Sequence, residues 1–348
     1  MQPEVSFFIM LPRLEISFDK KDRAVFRRGE RDEWQCNQFA LNHCRSGIVL
    51  ALDVLQLPAG SKVGLMTYNC HTVMNAIWQA QLTPVFIDVT NELTLDVDDL
   101  RKKIDGMQAL VITHLFGIIN DVSAIKKLFP DIVIIEDCAH AYAHLVEGDF
   151  GVYSIGQGKF PSVGDGGVLE VKNKKYLDAV AKVYSTITDY TSREETELYY
   201  KLWLRAFINQ PLIYRFITLP LKQKRDMGVT PQREDIKRMS IGVDRLLKNK
   251  KQDYTHNIQE RKRTAENIIR KYNITNCELG DNAFMLVVHT KTPSALQERL
   301  RRDGIDSATH FANSIDWARA FGYKGDCPNS ERLTNELLMI PIYKKLYP

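Results

Sequence analysis

The sequence has no uninterrupted apolar run long enough to span a bilayer, which excludes a membrane-spanning helix. Its first residues carry Glu4 and no apolar core followed by a small-residue cleavage site, so no secretory signal is expected. Cysteine is sparse and scattered. The six residues at 36, 44, 70, 138, 277 and 327 make no CxxC pair, which argues against a disulfide framework and for reduced thiols in a cytoplasmic setting. Charge of one sign is also missing. The 47 basic and 43 acidic residues leave a net +4, too slight to argue for nucleic acid, and the basic clusters at 222–225, 248–251, 261–263 and 299–302 read as solvated helix faces. No internal repeat or low-complexity segment is evident. What remains is an ordinary globular composition over 348 residues, enough for a large core and two domains.

The most informative stretch runs from Asp131 to Val171. Ile132-Val133-Ile134-Ile135 is a short β-branched run suited to a strand buried on both faces, and it ends in Glu136-Asp137. A carboxylate therefore lies just past the carboxyl end of a parallel strand, where open α/β sheets bind their ligands. A second strand, Val152 to Ile155, runs into Gly156-Gln157-Gly158 and delivers Lys159. Gly164-Asp165-Gly166-Gly167 reads as a tight turn and Val168 to Val171 as a returning strand. An acid and a lysine at one sheet edge suit pyridoxal phosphate, which needs an amine to carry it and an acid to hold its pyridine nitrogen protonated.

Other readings of these residues stand beside that one. His140 and His144, four apart and near Cys138, could face together from a helix as metal ligands, but the glutamate of the zinc-protease pattern is missing, and no metal is expected. Gly156 to Lys159 lacks the first glycine and the Ser/Thr of a phosphate-binding P-loop. Taken singly, Asp137 is also compatible with a helix cap and Lys159 with a solvated surface lysine.

Along the rest of the chain, strands and helices alternate. Strands are expected at 63–67, 84–89 and 109–113, and helices at 71–81, 97–104 and 121–129, giving right-handed crossovers and a largely parallel sheet. Ser46 is placed to cap a buried helix over 47–52, whose free N–H groups at Gly47 and Ile48 make a phosphate site. Phe7 to Leu11 reads as an edge strand or an arm on another subunit. Residues 172–228 form a divergent helical insertion. Its runs at 199–208 and 212–217 are apolar, punctuated by Lys and Arg, and divided by Pro211 and Pro220 into short helices. A flap or dimer element is favoured there over a membrane-surface helix. Beyond it, helices at 252–271, 293–302 and 330–339 and strands at 284–289 and 305–311 suit a small α+β domain. The expected division is a large domain over 1–245 and a small one over 246–348.

EDCAHAYA at 136–143, YSIGQGK at 153–159 and GDGG at 164–167 resemble the aspartate, serine–lysine and glycine-turn motifs of the DegT/DnrJ/EryC1/StrS sugar aminotransferases. The resemblance runs from about Cys44 to Pro348 and is weakest over 172–228. It implies an α/β fold of the fold-type-I pyridoxal-phosphate class, a homodimer, and amino transfer from an amino acid such as glutamate to a nucleotide-linked keto sugar. By the same resemblance Lys159 carries the cofactor and serves as base, Asp137 faces the ring nitrogen, His140 lies near the ring, and Ser154 contacts the phosphate. Ser46, Gly47, Ile48 and Cys70 fall at further cofactor positions, and His310 and Arg233 at substrate positions. Ile48 stands where the family has Thr or Ser, Cys70 where many members have an aromatic residue, and Pro231 where an asparagine reaches the neighbouring subunit's phosphate. Tyr68 or His71 would then supply the ring-stacking surface. Those departures keep open an inactive binding or scaffold protein. A sugar dehydratase of the same family would have histidine in place of Lys159.

Overall fold

The computed structural model describes residues 18–142, 144–218, 229–252 and 254–343, together with 10 and 12. The arm read at Phe7 to Leu11 lies outside the described residues except for Met10, as do Pro220 and the basic cluster at 222–225.

Seven strands form the main sheet: β1 (Gln38–Leu41), β2 (Lys62–Met66), β3 (Thr83–Ile87), β4 (Met107–Thr113), β5 (Val133–Asp137), β6 (Phe150–Ser154) and β7 (Gly167–Val171). Their order is β1-β7-β6-β5-β4-β2-β3. The pairs from β3 to β6 are parallel, and β7 runs antiparallel to both β6 and β1. The β-branched runs are buried on both faces, as a sheet covered by helices requires. Helices α2 (Cys44–Asp53), α3 (His71–Gln79), α4 (Val97–Lys103) and α5 (Val122–Leu128) make the connections, preceded by α1 (Lys20–Arg28).

A second sheet holds β8 (Cys277–Leu279), β9 (Leu286–His289) and β10 (Leu337–Ile340), antiparallel in the order β10-β9-β8. It follows α8 (Ile241–Lys251) and α9 (Tyr254–Tyr272) and packs its own apolar cluster, including Ile268, Leu286, Leu300 and Ile340. The helix expected over 330–339 instead ends at Glu336, because the buried run Leu337-Leu338-Met339-Ile340 pairs with β9. The strand expected over 305–311 is absent from the described elements. Only Ala308 bridges Met339, and Phe311, at φ +59°, turns the chain toward a helix at Ser314–Ala320.

Between the sheets, α6 (Leu177–Thr186) leads to α7 (Ser192–Ile208). The latter has 17 residues and starts seven before the run expected at 199–208. The second expected run follows the break before Pro211 as short helical pieces at Pro211–Ile213 and Tyr214–Thr218. Thr191 and Glu194 form a reciprocal capping box that starts α7 early, a signal overlooked beside the apolar run. Leu198 and Leu202 are buried against Ile155, Val163 and Val168, while Trp203, Leu204 and Phe207 on other faces stay exposed.

Candidate active site

The carboxyl ends of the parallel strands open into one cavity of about 360 Å³. Asp137 ends β5 and is 4% exposed. Its Oδ2 accepts the Thr113 hydroxyl at 3.1 Å and its Oδ1 accepts the Ala139 amide at 3.0 Å. Thr113 is its register partner at the end of β4. The Cys44 thiol also approaches Asp137, at 3.7 Å. Burial, then the Asp137 charge, raise that thiol well above its usual range, so it remains a donor.

Lys159 reaches the same cavity from the loop after β6. Gly158, at φ +73°, makes the turn, a conformation that a Cβ would strain. The lysine Nζ lies 2.9 Å from His140 Nε2. His140 Nδ1 accepts the Phe116 amide at 3.1 Å, and the ring stacks on Phe284 at 4.3 Å. Asn282, from the loop before β9, donates to the His140 carbonyl. Burial first, then Lys159 and His310, hold the His140 imidazole well below its ordinary pKa.

Ile48, Cys70, Asp137, His140, Ser154 and Lys159 all line this cavity. The helix expectation is corrected, however. α2 begins at Cys44 with His43 at its cap, so the first-turn donors end at Ser46, and the N–H groups of Gly47 and Ile48 fall inside the helical ladder. Ser46 is not the cap; its hydroxyl donates to Asn42 at 2.8 Å, away from the cavity. Gly47 lets the helix approach β6, since a Cβ there would sit 3.0 Å from Val152.

Tyr68 and His71 do not supply a stacking face. Tyr68 is fully buried with its hydroxyl on the His310 carbonyl at 2.7 Å, and His71 packs edge-on against Trp317. Cys70 reaches the cavity, with the Thr72 hydroxyl 3.1 Å from its sulfur. Burial raises its thiol, but His71 and Thr72 outweigh that and bring it down to about 7. His310 does not line the cavity, although its neighbour Phe311 does. Arg233 is exposed and also lies off it. Asn75 and Gln79 grip Gln232 and Glu234, which turns Glu234 toward Arg45 and leaves Arg233 outward.

His140 and His144 do not share a helix face. His144 instead donates to Glu136, 2.8 Å away, as His114 does at 2.9 Å, and the amides of Glu147 and Gly148 take the other carboxylate oxygen. Glu136, His114 and Cys138 lie close enough together to suggest a cation site. The four donors already on Glu136 make it a hydrogen-bond node instead.

Sequence reading missed Thr113, Cys44, Arg45 and Phe311 as cavity residues, and also Lys201 and Arg205, which α7 brings to its wall. Thr113 was accessible from strand alignment alone. The two cations lay hidden as interruptions of an apolar run.

No helix among the described residues is long and apolar enough to cross a membrane. The chain resembles the uncharacterized protein MJ1066 of Methanocaldococcus jannaschii, 23% identical over 88% of this chain and 81% of that protein. GDP-perosamine synthase of Escherichia coli O157:H7 is 30% identical over 37% of this chain and 38% of its own length. Among solved structures, an aminotransferase TlmJ from Streptoalloteichus hindustanus superposes with a TM-score of 0.74 at 19% identity, over 97% of this chain and 95% of that one. The sequence model of the DegT/DnrJ/EryC1/StrS aminotransferase family matches residues 36–199 and 243–348, and the chain belongs to that family.

Proposed function

We propose that this aminotransferase uses pyridoxal 5′-phosphate, held on Lys159, to move an amino group from an amino acid such as glutamate to a nucleotide-linked keto sugar. The sugar product would serve surface polysaccharide or secondary-metabolite synthesis in the cytoplasm. One observation carries the reading: an amine, a buried carboxylate and a hydroxyl (Lys159, Asp137 and Ser154) converge on one cavity beside the start of α2. That set is complementary to an aldehyde, a pyridine nitrogen and a phosphate.

When bound, the cofactor supplies an electron sink and a carrier for the amino group. The chain supplies the rest. Asp137, held by Thr113 and the Ala139 amide, is oriented to keep a proton on the ring nitrogen. Lys159 is the base that moves a proton at the substrate's α-carbon. Ser154 and the first-turn donors of α2 bind phosphate. His140 positions the lysine. The proposed architecture is a large domain over 1–245 and a small one over 246–348, assembled as a homodimer.

Borohydride reduction of the purified protein with pyridoxal phosphate, followed by peptide mapping, tests this. Cofactor mass should appear on the Lys159 peptide and vanish in Lys159→Ala, along with amino transfer to a panel of nucleotide-linked keto sugars. Trapping at another lysine, or an active Lys159→Ala protein, would overturn it.

A further inference from the structure

The family match stops at residue 199 and resumes at 243, so the second half of α7 lies outside the matched residues. That half carries Lys201 and Arg205, both on the cavity wall. The helix is fixed there by packing. Leu202 lies against Gly164, where a Cβ would come within 2.4 Å of the leucine Cδ2. The Arg205 guanidinium donates to the Gly164 carbonyl at 3.3 Å. Two residues on, the Gly166 amide donates to the Asn42 carbonyl at 3.0 Å, which places the same turn against the start of α2. The two cations thus extend the end of the cavity where the helix's free N–H groups begin.

Neither cation is paired with a carboxylate among the described residues. The acids lining the cavity are already engaged: Asp165 lies 3.0 Å from His43, and Asp137 accepts from the Thr113 hydroxyl and the Ala139 amide. Like charges four apart on a helix repel, so Lys201 and Arg205 destabilise the free protein slightly unless an anion joins them. Arginine presents a fork of donors that matches phosphate oxygens, and lysine adds a point charge.

We propose that Lys201 and Arg205 form an anion clamp for a phosphate-bearing ligand of this cavity. The phosphate comes from the cofactor or from the diphosphate of a nucleotide-linked substrate. The clamp rests on the aminotransferase reading only for the identity of those ligands. It is supplied by the second half of α7, which lies outside the family match.

The test compares wild type, Lys201→Gln/Arg205→Gln, and the charge-keeping Lys201→Arg/Arg205→Lys, each checked by thermal melting. Wild-type and variant proteins are titrated with pyridoxal phosphate and with pyridoxal, which lacks the phosphate. The cofactor-loaded proteins are then titrated with UDP and GDP. If the clamp holds the cofactor, the Gln variant binds pyridoxal phosphate at least tenfold more weakly, with pyridoxal unchanged. If it holds the substrate, cofactor binding is unchanged and affinity for UDP or GDP falls at least tenfold. The charge-keeping variant should retain most of either affinity. Unchanged affinity for all three phosphates in the Gln variant overturns the clamp, as does a wild type that binds none of them. A wild type that traps no cofactor yet loses diphosphate binding in the Gln variant would sink the aminotransferase reading and leave the clamp standing.

Discussion

The Lys159 amine and the His140 imidazole are in hydrogen-bond contact inside the cavity. The two side-chain nitrogens are 2.9 Å apart, and the other imidazole nitrogen already accepts the Phe116 amide. A neutral ring therefore carries its proton on Nε2, the nitrogen that faces the lysine. Burial keeps the imidazole neutral through physiological pH, so the ring can hold the lysine side chain in place without adding a second charge beside it. His140→Phe removes this polar contact, and the rate of cofactor trapping at Lys159 should drop about tenfold at neutral pH, or about 1.4 kcal/mol. His140→Gln, which keeps an N–H, should recover part of the loss. Equal trapping rates in wild type and His140→Phe would show that the contact has no chemical role.

Glu136 sets an acid limit on stability. Burial alone would raise its carboxyl, but His114, His144 and the Gly148 amide bring it down to about 2 from an ordinary 4.5. A carboxyl with a lower value in the folded state stabilises fully above about pH 4.5 and loses that contribution as pH falls toward 2. The difference corresponds to about 3 kcal/mol. Urea unfolding between pH 6 and pH 2 should show Glu136→Gln less stable at pH 6, with a flatter pH dependence. Parallel curves for the two proteins would refute the assignment.

Gly164 should not tolerate a side chain. Its φ is +93°, and a Cβ would collide with Leu202. Gly164→Ala is expected to cost about 1–3 kcal/mol from backbone strain and overpacking. Adding Leu202→Ala should cost less than its effect in wild type, because the collision is relieved. Strict additivity in denaturant midpoints would mean that α7 is not seated on this turn.

The outer face of α7 is the candidate dimer surface. Trp203 and Phe207 stack at 5.7 Å, and Phe207 is 44% exposed in the single chain. An apolar face left this open in one copy calls for a cover. Trp203→Glu/Phe207→Glu should convert a dimer to a monomer in light scattering, while wild type fails to sediment with anionic vesicles at low or high salt. Salt-sensitive sedimentation with the dimer intact in the variant would identify a membrane-surface helix instead.

The parts of the site that were legible in the sequence are those built by neighbours in the chain. Asp137 follows directly from a β-branched run and Ser154 from the next, so their placement at adjacent strand ends needed only the alternation of strands and helices. Lys159 follows from the glycine turn behind β6. What stayed hidden depends on distant partners. Tyr68 sits beside Cys70 in sequence, yet its hydroxyl is drawn away by the carbonyl of His310, 242 residues on. Arg205 reaches the cavity only because Gly164, 41 residues earlier, lacks a side chain. Arg233 was misplaced because hydrogen bonds to α3 decide which side of an extended segment faces inward.

The edge pairing of β1 with β7 has a consequence for synthesis. Gln38 faces Glu170 across 132 residues, and every other strand of the main sheet lies between them in the chain. On a ribosome adding roughly 5–20 residues per second, β1 waits on the order of ten seconds for its partner. Until β7 emerges, the start of α2 has no Gly166 beside it and the cavity has no floor at that end. The cavity residues Lys201, Arg205 and Phe311 emerge later still, which separates folding of the parallel strands from completion of the site.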